Sequence, residues 1–409
     1  MSSSCRFCGA PLVHVFADLG MSPLANSYLT AQQSNAMEPF YPLRAYVCDQ
    51  CFLVQLEQFE TADHIFGDYA YFSSYSTSWL EHSSRYVEEM IERFSLDGSS
   101  QVIELASNDG YLLQYFAQHG IPVLGIEPAA NVAEVAVQKG IPTLVEFFGR
   151  ETARTLQAQS PADLLLGNNV LAHVPDLNDF VAGMQILLKP GGVITMEFPH
   201  LVRLIDENQF DTIYHEHFSY FSFLTARRVF AAHGLRLFDV EELPTHGGSL
   251  RIYGAHADDD AKPETDRAVE LAERERTAGL QDIETYRSYA HRVQTEKRAI
   301  LSFLIGLKND SQSIAGYGAP AKGNTLLNFC GVGTDFIDYT VDMNPHKQGH
   351  LLPGSHIPIR APETLAQTKP DVLLILPWNL RDEIMQQHAY ISEWGGRFAA
   401  RAPEMKVLR

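Results

Sequence analysis

The chain has 409 residues, 45% hydrophobic and 20% charged, an ordinary globular composition long enough for two or three domains, each with its own core. A formal charge of -19 without clustered Lys and Arg excludes a nucleic-acid surface, yet allows a small anionic substrate in a pocket, because the global field is screened over about 8 Å. No run approaches the ~18 to 20 apolar residues of a membrane span, and Met1-Ser2-Ser3-Ser4-Cys5 lacks the basic and apolar regions of a signal peptide, so the expectation is a soluble cytoplasmic protein without membrane contact.

In chain order, Cys5-Arg6-Phe7-Cys8 and Cys48-Asp49-Gln50-Cys51 come first, two C-x2-C knuckles with 39 residues between them. Cys5, Cys8, Cys48 and Cys51 suffice to close a tetrahedron around Zn2+, the arrangement of a structural site with no open position. With short strands at 43–47 and 53–56, the segment 1–65 is too small for a large core, and metal binding is expected to supply much of its stability. Residues 68–78, dense in hydroxyls and aromatics but without a period, read as a loop, either a lid or an interdomain seam. A helix is expected over 79–94.

Val102-Ile103-Glu104-Leu105-Ala106-Ser107-Asn108-Asp109-Gly110-Tyr111-Leu112-Leu113 then reads as strand, turn and helix, and Val123-Leu124-Gly125-Ile126-Glu127 as a second strand ending in a carboxylate. An acid there hydrogen-bonds ribose hydroxyls in doubly wound sheets. The loop has one glycine, Gly110, in place of the three-glycine dinucleotide pattern. It suits a ligand with an adenosine and no pyrophosphate, which points to S-adenosylmethionine.

The alternation continues with a helix at 131–139, a weaker unit at 141–158, a strand at 163–167, a helix at 177–188 and a strand at 193–197. Strands alternating with helices imply a parallel sheet, with Asn168 and Asn169 emerging at its carboxyl edge. A final strand pair is expected at 235–241 and 250–255. After the polar break 256–263 the chain reads as helical over roughly 264–307, and a further α/β unit follows, beginning with the stretch 314–324 and with strands near 339–342 and 372–376. Cys330 falls in a helix of that unit, with only a packing role.

Tyr214-His215-Glu216-His217-Phe218 concentrates the chemistry. H-E-H is not H-E-x-x-H, and two imidazoles sharing one face of a strand make a weak metal site. An imidazole with a pKa near 6.5 and a carboxylate beside it suits a general base at neutral pH. A buried polar cluster holding a loop is the structural alternative.

The cysteine quartet, the Asn108-Asp109-Gly110 loop, Gly125-Ile126-Glu127-Pro128-Ala129, Tyr214-His215-Glu216-His217, Thr245-His246-Gly247-Gly248-Ser249 and Gly316-Tyr317-Gly318 stand in the order seen in zinc-containing sugar C-methyltransferases of deoxysugar biosynthesis, which the sequence resembles over nearly its whole length. The resemblance implies an α/β protein of three parts: a zinc-binding domain (1–65), a Rossmann-like S-adenosylmethionine-binding methyltransferase domain (66–256), and a helical connector with a C-terminal Rossmann-like nucleotide-sugar-binding domain (257–409). It also implies methylation of a nucleotide-linked 4-ketosugar, dTDP or GDP, commonly at C-3. His217 is then the candidate base, with His215 still open, Glu216 and Tyr214 orienting it or stabilising an enolate, and Tyr71 or Tyr75 closing the site. Cofactor contacts are implied for Glu104, Ser107, Asn108, Gly110, Glu127 and Asn168, and substrate contacts for His246, Ser249, Lys322, Asn324 and Lys347. A monomer or weak homodimer is expected. Methylation of another carbon or of an oxygen, a non-catalytic nucleotide-sugar- or adenosine-binding protein, and an NAD site at 314–324 with Asp342 as its acid are the alternatives.

Overall fold

The computed structural model describes residues 4–61, 72–401 and 404–408. These fall into two compact units, each assembled from separate stretches: Met1–Leu12, Cys48–Leu201 and Phe218–Gln281 in the first, Val13–Val47, Val202–His217 and Asp282–Arg409 in the second. The boundaries expected at 65 and 256 are consecutive along the chain, whereas these units interleave. Among the described residues no helix is long and apolar enough to cross a membrane.

The first unit is built on a seven-stranded sheet whose order, edge to edge, is Leu235–Leu243, Ser249–His256, Leu188–Pro199, Ala162–Asn168, Val102–Leu105, Val123–Ile126 and Thr143–Leu144. Six strands share one direction, and Ser249–His256 runs against them between Leu188–Pro199 and Leu235–Leu243. The order reverses between Val102–Leu105 and Ala162–Asn168, and a crevice for ligands opens beyond the carboxyl ends of strands at such a point.

Helix Thr77–Phe94 packs against this sheet because Tyr86, Val87 and Met90 recur at helical spacing and enter one core with Val102, Leu112 and Phe116. Ser76 caps it by accepting from the Trp79 amide at 3.3 Å, and Ser95, at φ 53°, ends it. The helical stretch expected over 264–307 is two helices, Asp266–Thr277 and Ile283–Asn309. Gly279, at φ 81°, breaks it: the Gly279 and Leu280 amides turn back to the carbonyls of Arg276 and Glu275, and Asp282 caps the second helix.

In the second unit the strands Ile359–Arg360, Tyr339–Val341, Ile314–Tyr317, Val372–Ile375 and Arg397–Arg401 are parallel, and Met405–Leu408 closes the sheet antiparallel. The hairpin of His14–Ser22 with Tyr41–Val47 belongs to this unit; Phe16 stacks on Tyr289 of the long helix with ring centroids 4.5 Å apart. The strand His14–Ser22 was not foreseen, because Gly20 and the alternation-poor stretch Asp18-Leu19-Gly20 obscure its period.

Candidate functional site

In the first unit the cofactor candidates converge on the loops after Val102–Leu105 and Ala162–Asn168. Ala106, Asn108 and Asn169 all take left-handed φ values of 51–56°, a cost that structure concentrates at binding loops. Gly110 sits at φ 74°, and a Cβ on Gly125 would lie 2.3 Å from Ser107 Oγ, so the second strand needs glycine for the loop to fold over it.

The Glu127 carboxylate accepts from the amides of Asn108 and Ala129, each at 2.9 Å, and so shapes the loop while keeping lone pairs for a ligand. Glu104 is buried; burial, together with the nearby Glu127 and Asp109 charges, pushes its carboxyl well above the ordinary range, against the hydrogen bond of the Tyr111 hydroxyl. Ser107 Oγ, Asp109 Oδ1 and Asn168 Nδ2 are buried without a partner. Lys139 reaches Asp109 Oδ2 at 3.0 Å and Ser74 Oγ at 2.8 Å, and the Ser73 amide donates to Asn108 Oδ1 at 2.9 Å. The 72–76 stretch is thereby tied to the loop. Tyr75 there is 66% exposed, with its ring against Phe72; Tyr71 lies outside the described residues.

His246, at φ 55°, meets the Trp79 ring edge-on at 5.1 Å, and Ser249 donates to the Thr245 carbonyl at 3.0 Å. Thr245 donates in turn to Glu197 Oε1 at 2.8 Å, and Glu197 Oε2 accepts from His82 at 2.9 Å and Arg251 at 3.1 Å. This buried network was missed by sequence reasoning, since its members are scattered from 82 to 251; the only signal was a carboxylate at the end of an apolar strand.

The second unit holds the Tyr214–His217 motif, which forms a turn closed by the His217 amide on the Tyr214 carbonyl at 2.9 Å, not a strand. The two imidazoles accordingly take different partners. His215 Nε2 donates to the Pro42 carbonyl at 3.2 Å, and burial lowers its pKa. His217 Nδ1 donates to the Thr212 carbonyl at 3.1 Å, which leaves Nε2 as the basic nitrogen of the neutral ring, 2.8 Å from the Tyr214 hydroxyl.

Glu216 is buried, its carboxyl raised to about 7 by burial despite Asn26 and Lys347. Asn26 and Tyr28, some 190 residues away in sequence, complete its surroundings and carried no signal of their own. Lys347 Nζ donates to the Ala319 carbonyl at 2.9 Å and lies 4.0 Å from Asp342, which also accepts from the Ala319 amide at 2.7 Å. Lys322 donates to Asn379 at 2.8 Å over the Trp378 ring, and burial lowers its pKa to about 8. Asn324, buried, donates to the Ala25 carbonyl at 2.6 Å.

Three family descriptions match in succession: a zinc binding domain over residues 5–66, a methyltransferase domain over 79–240 and a C-methyltransferase C-terminal domain over 244–403. C-methyltransferase NovU of Streptomyces niveus is 38% identical over 405 residues, 99% of this chain and 96% of that protein. The chain belongs to the C-methyltransferase family. A ubiquinone biosynthesis O-methyltransferase of Rhodopseudomonas palustris (strain BisA53) is 27% identical over 97 residues, 24% of this chain and 38% of that protein. The structure of magnesium protoporphyrin IX methyltransferase from Synechocystis PCC 6803 with bound SAH matches 47% of this chain and 91% of that one at 14% identity and a TM-score of 0.36.

This C-methyltransferase uses S-adenosylmethionine. The loops fit it: a buried group of carboxylates, Glu104, Asp109 and Glu127, with unpartnered Ser107 and Asn168 atoms, suits a ligand that carries positive charge and hydroxyls.

The four cysteines of the same C-methyltransferase fit zinc. Their sulfurs all lie within 4.8 Å of one another, with Cys5 to Cys51 and Cys8 to Cys48 at 3.5 Å, close to the roughly 3.8 Å edge of a tetrahedron with Zn–S bonds of about 2.3 Å. Gln55 donates to Cys5 Sγ at 3.1 Å, while its Oε1 accepts from the Arg6 amide; Arg6 also donates to the Pro175 carbonyl. The knuckles are thereby bound into the first unit, as a structural element.

Proposed function

We propose that this C-methyltransferase acts on a nucleotide-linked 4-keto-deoxysugar, dTDP or GDP, and places the methyl on C-3, the carbon next to the ketone. The observation that carries the reading is the His217 imidazole, whose Nδ1–H is fixed on the Thr212 carbonyl so that Nε2 keeps its lone pair. A hydrogen α to a ketone is acidic enough for an imidazole to remove once the enolate is stabilised.

When bound, S-adenosylmethionine supplies a methyl group activated by its sulfonium. His217 Nε2 takes the C-3 proton, and the electron pair of that C–H bond becomes the enolate. Tyr214 turns its hydroxyl from Nε2 to the enolate oxygen, and Glu216, whose carboxyl burial raises to about 7, supports the same oxygen by donating from its neutral form. A bound S-adenosylmethionine would supply the methyl that this carbon takes, its sulfur keeping the electron pair of the C–S bond. Glu127 would hold its ribose hydroxyls, Glu104 and Gly110 its methionine end, and Ser107, Asn108 and Asn168 would complete its contacts. His246 and Ser249 contact the sugar; Lys322, Asn324 and Lys347 are the candidate nucleotide contacts, of which Lys347 carries charge closest to Glu216.

Deuterium exchange tests the enolate. With S-adenosylhomocysteine in place of the methyl donor, deuterium from solvent enters C-3 of the ketosugar; an O-methyltransferase leaves that position protiated.

A further inference from the structure

Glu104 stands near the carboxyl end of the strand Val102–Leu105, on the same face as Val102, and across the sheet it lies opposite Gly125 and Leu166, which offer it neither charge nor a side-chain donor. Two further buried carboxylates, Asp109 and Glu127, stand close to it, and their charges together with burial favour its neutral form. Among the described residues Lys139 is the cation that reaches this group. Its three donors are spent on Asp109 Oδ2 at 3.0 Å, the Asp109 carbonyl at 3.1 Å and Ser74 Oγ at 2.8 Å, so it compensates Asp109 alone. Glu127 is held by the amides of Asn108 and Ala129, two donors that favour an ionised carboxylate. Glu104 receives the Tyr111 hydroxyl, and Tyr86, whose hydroxyl meets Thr195 at 2.6 Å, stands near it on the helix Thr77–Phe94. A proton held by this group therefore belongs on Glu104.

We propose that Glu104 carries a proton in the free protein and gives it up to solvent when the ammonium group of S-adenosylmethionine binds beside it. The carboxyl O–H bond breaks, its electron pair stays on the oxygen, and the ammonium takes the proton's place as the positive partner, so that no unpaired charge is buried in either state. The site thereby selects a ligand with a cation at that end, since a neutral group there leaves the proton where it is. Below the titration of Glu104, cofactor affinity rises about tenfold per pH unit, because each bound cofactor displaces one proton. This release rests on the reading of Glu104 as a group that meets the methionine end.

The test is titration calorimetry of the full-length protein with S-adenosylmethionine at about pH 6.5, where the ligand's amino group, with a pKa near 8, is already charged. Repeating the titration in buffers of different ionisation enthalpy gives the number of protons released as the slope of the observed heat against that enthalpy. About one proton per bound cofactor is expected. Methylthioadenosine, which keeps the adenosine but lacks the ammonium and the sulfonium, should bind with almost no release. Glu104→Gln should bind S-adenosylmethionine more weakly and also release almost none. No release from the parent protein with the full cofactor, or the same release with both ligands, overturns the proposal, as does a release that survives in Glu104→Gln. Where that variant binds too weakly to measure, the two ligands on the parent protein decide. Full affinity in Glu104→Gln would instead remove Glu104 from the methionine end, whereas a weakened variant beside a parent that releases nothing refutes the proton alone.

Discussion

His217 Nδ1 stands 3.1 Å from the Thr212 carbonyl oxygen, and a carbonyl can be met only by a proton. That single bond decides which nitrogen of the ring is basic, and with it which atom is able to take a proton from a substrate. Replacing His217 by Asn keeps a donor for Thr212 and removes the base. Cofactor affinity measured by calorimetry is expected to stay within about twofold, and turnover to fall by roughly 10² or more. Near-normal turnover would transfer the role to His215, whose Nε2 is already committed to the Pro42 carbonyl.

The Glu127 carboxylate is expected to act on the cofactor and not on the chemical step. Glu127→Ala removes two amide hydrogen bonds from the loop as well as the ribose acceptor, so affinity for S-adenosylmethionine should fall by about tenfold to a hundredfold, the scale of one or two charge-assisted hydrogen bonds. Titration calorimetry decides it; an unchanged Kd removes the ribose assignment.

Acid stability should depend on Glu197. Burial on its own raises this carboxyl, but the His82 hydrogen bond, the Arg251 charge and the Thr245 hydroxyl outweigh it and hold it at about 2, below the ordinary 4.5. With the folded value the lower one, the stabilisation is complete above about pH 4.5 and is lost as pH falls from there through 2. Glu197→Gln should therefore cost about 3 kcal/mol at pH 7, and the gap between variant and parent should close as denaturation curves are taken toward pH 2. A gap that stays constant with pH would mean that packing, not charge, is lost.

Zinc removal should destabilise without addressing the chemistry directly. A chelator is expected to release one zinc ion per chain and to lower the first thermal transition, and Cys51→Ser to bind less than one equivalent. Metal content by atomic emission, paired with calorimetry, checks both; full stability in the zinc-free protein would contradict a structural role.

Much of this was readable in advance because local pattern and tertiary outcome agree. The strand ending before Ser107, the carboxylate of Glu127 and the cysteine pairs are set by short-range periodicity and spacing, and the sheet forms around them as expected. What was not readable depends on residues distant in sequence. Asn26 reaches Glu216 across 190 positions, and His82, Glu197 and Arg251 meet only because a helix and two strands stack. The Tyr214–His217 turn illustrates the same limit from the other side. Its residues announce chemistry, but period alone could not tell a strand, with both imidazoles on one face, from a turn that sends them to Pro42 and Thr212.

The most direct test of the central claim is mass spectrometry of the purified protein with S-adenosylmethionine and freshly prepared dTDP-4-keto-6-deoxyglucose, its 2,6-dideoxy analogue or the GDP counterpart, followed by NMR of the product. The account predicts a mass gain of one methyl, release of S-adenosylhomocysteine and a new carbon–carbon bond at C-3. A methyl on oxygen, or no gain with any of these sugars under conditions where the cofactor binds tightly, would contradict it.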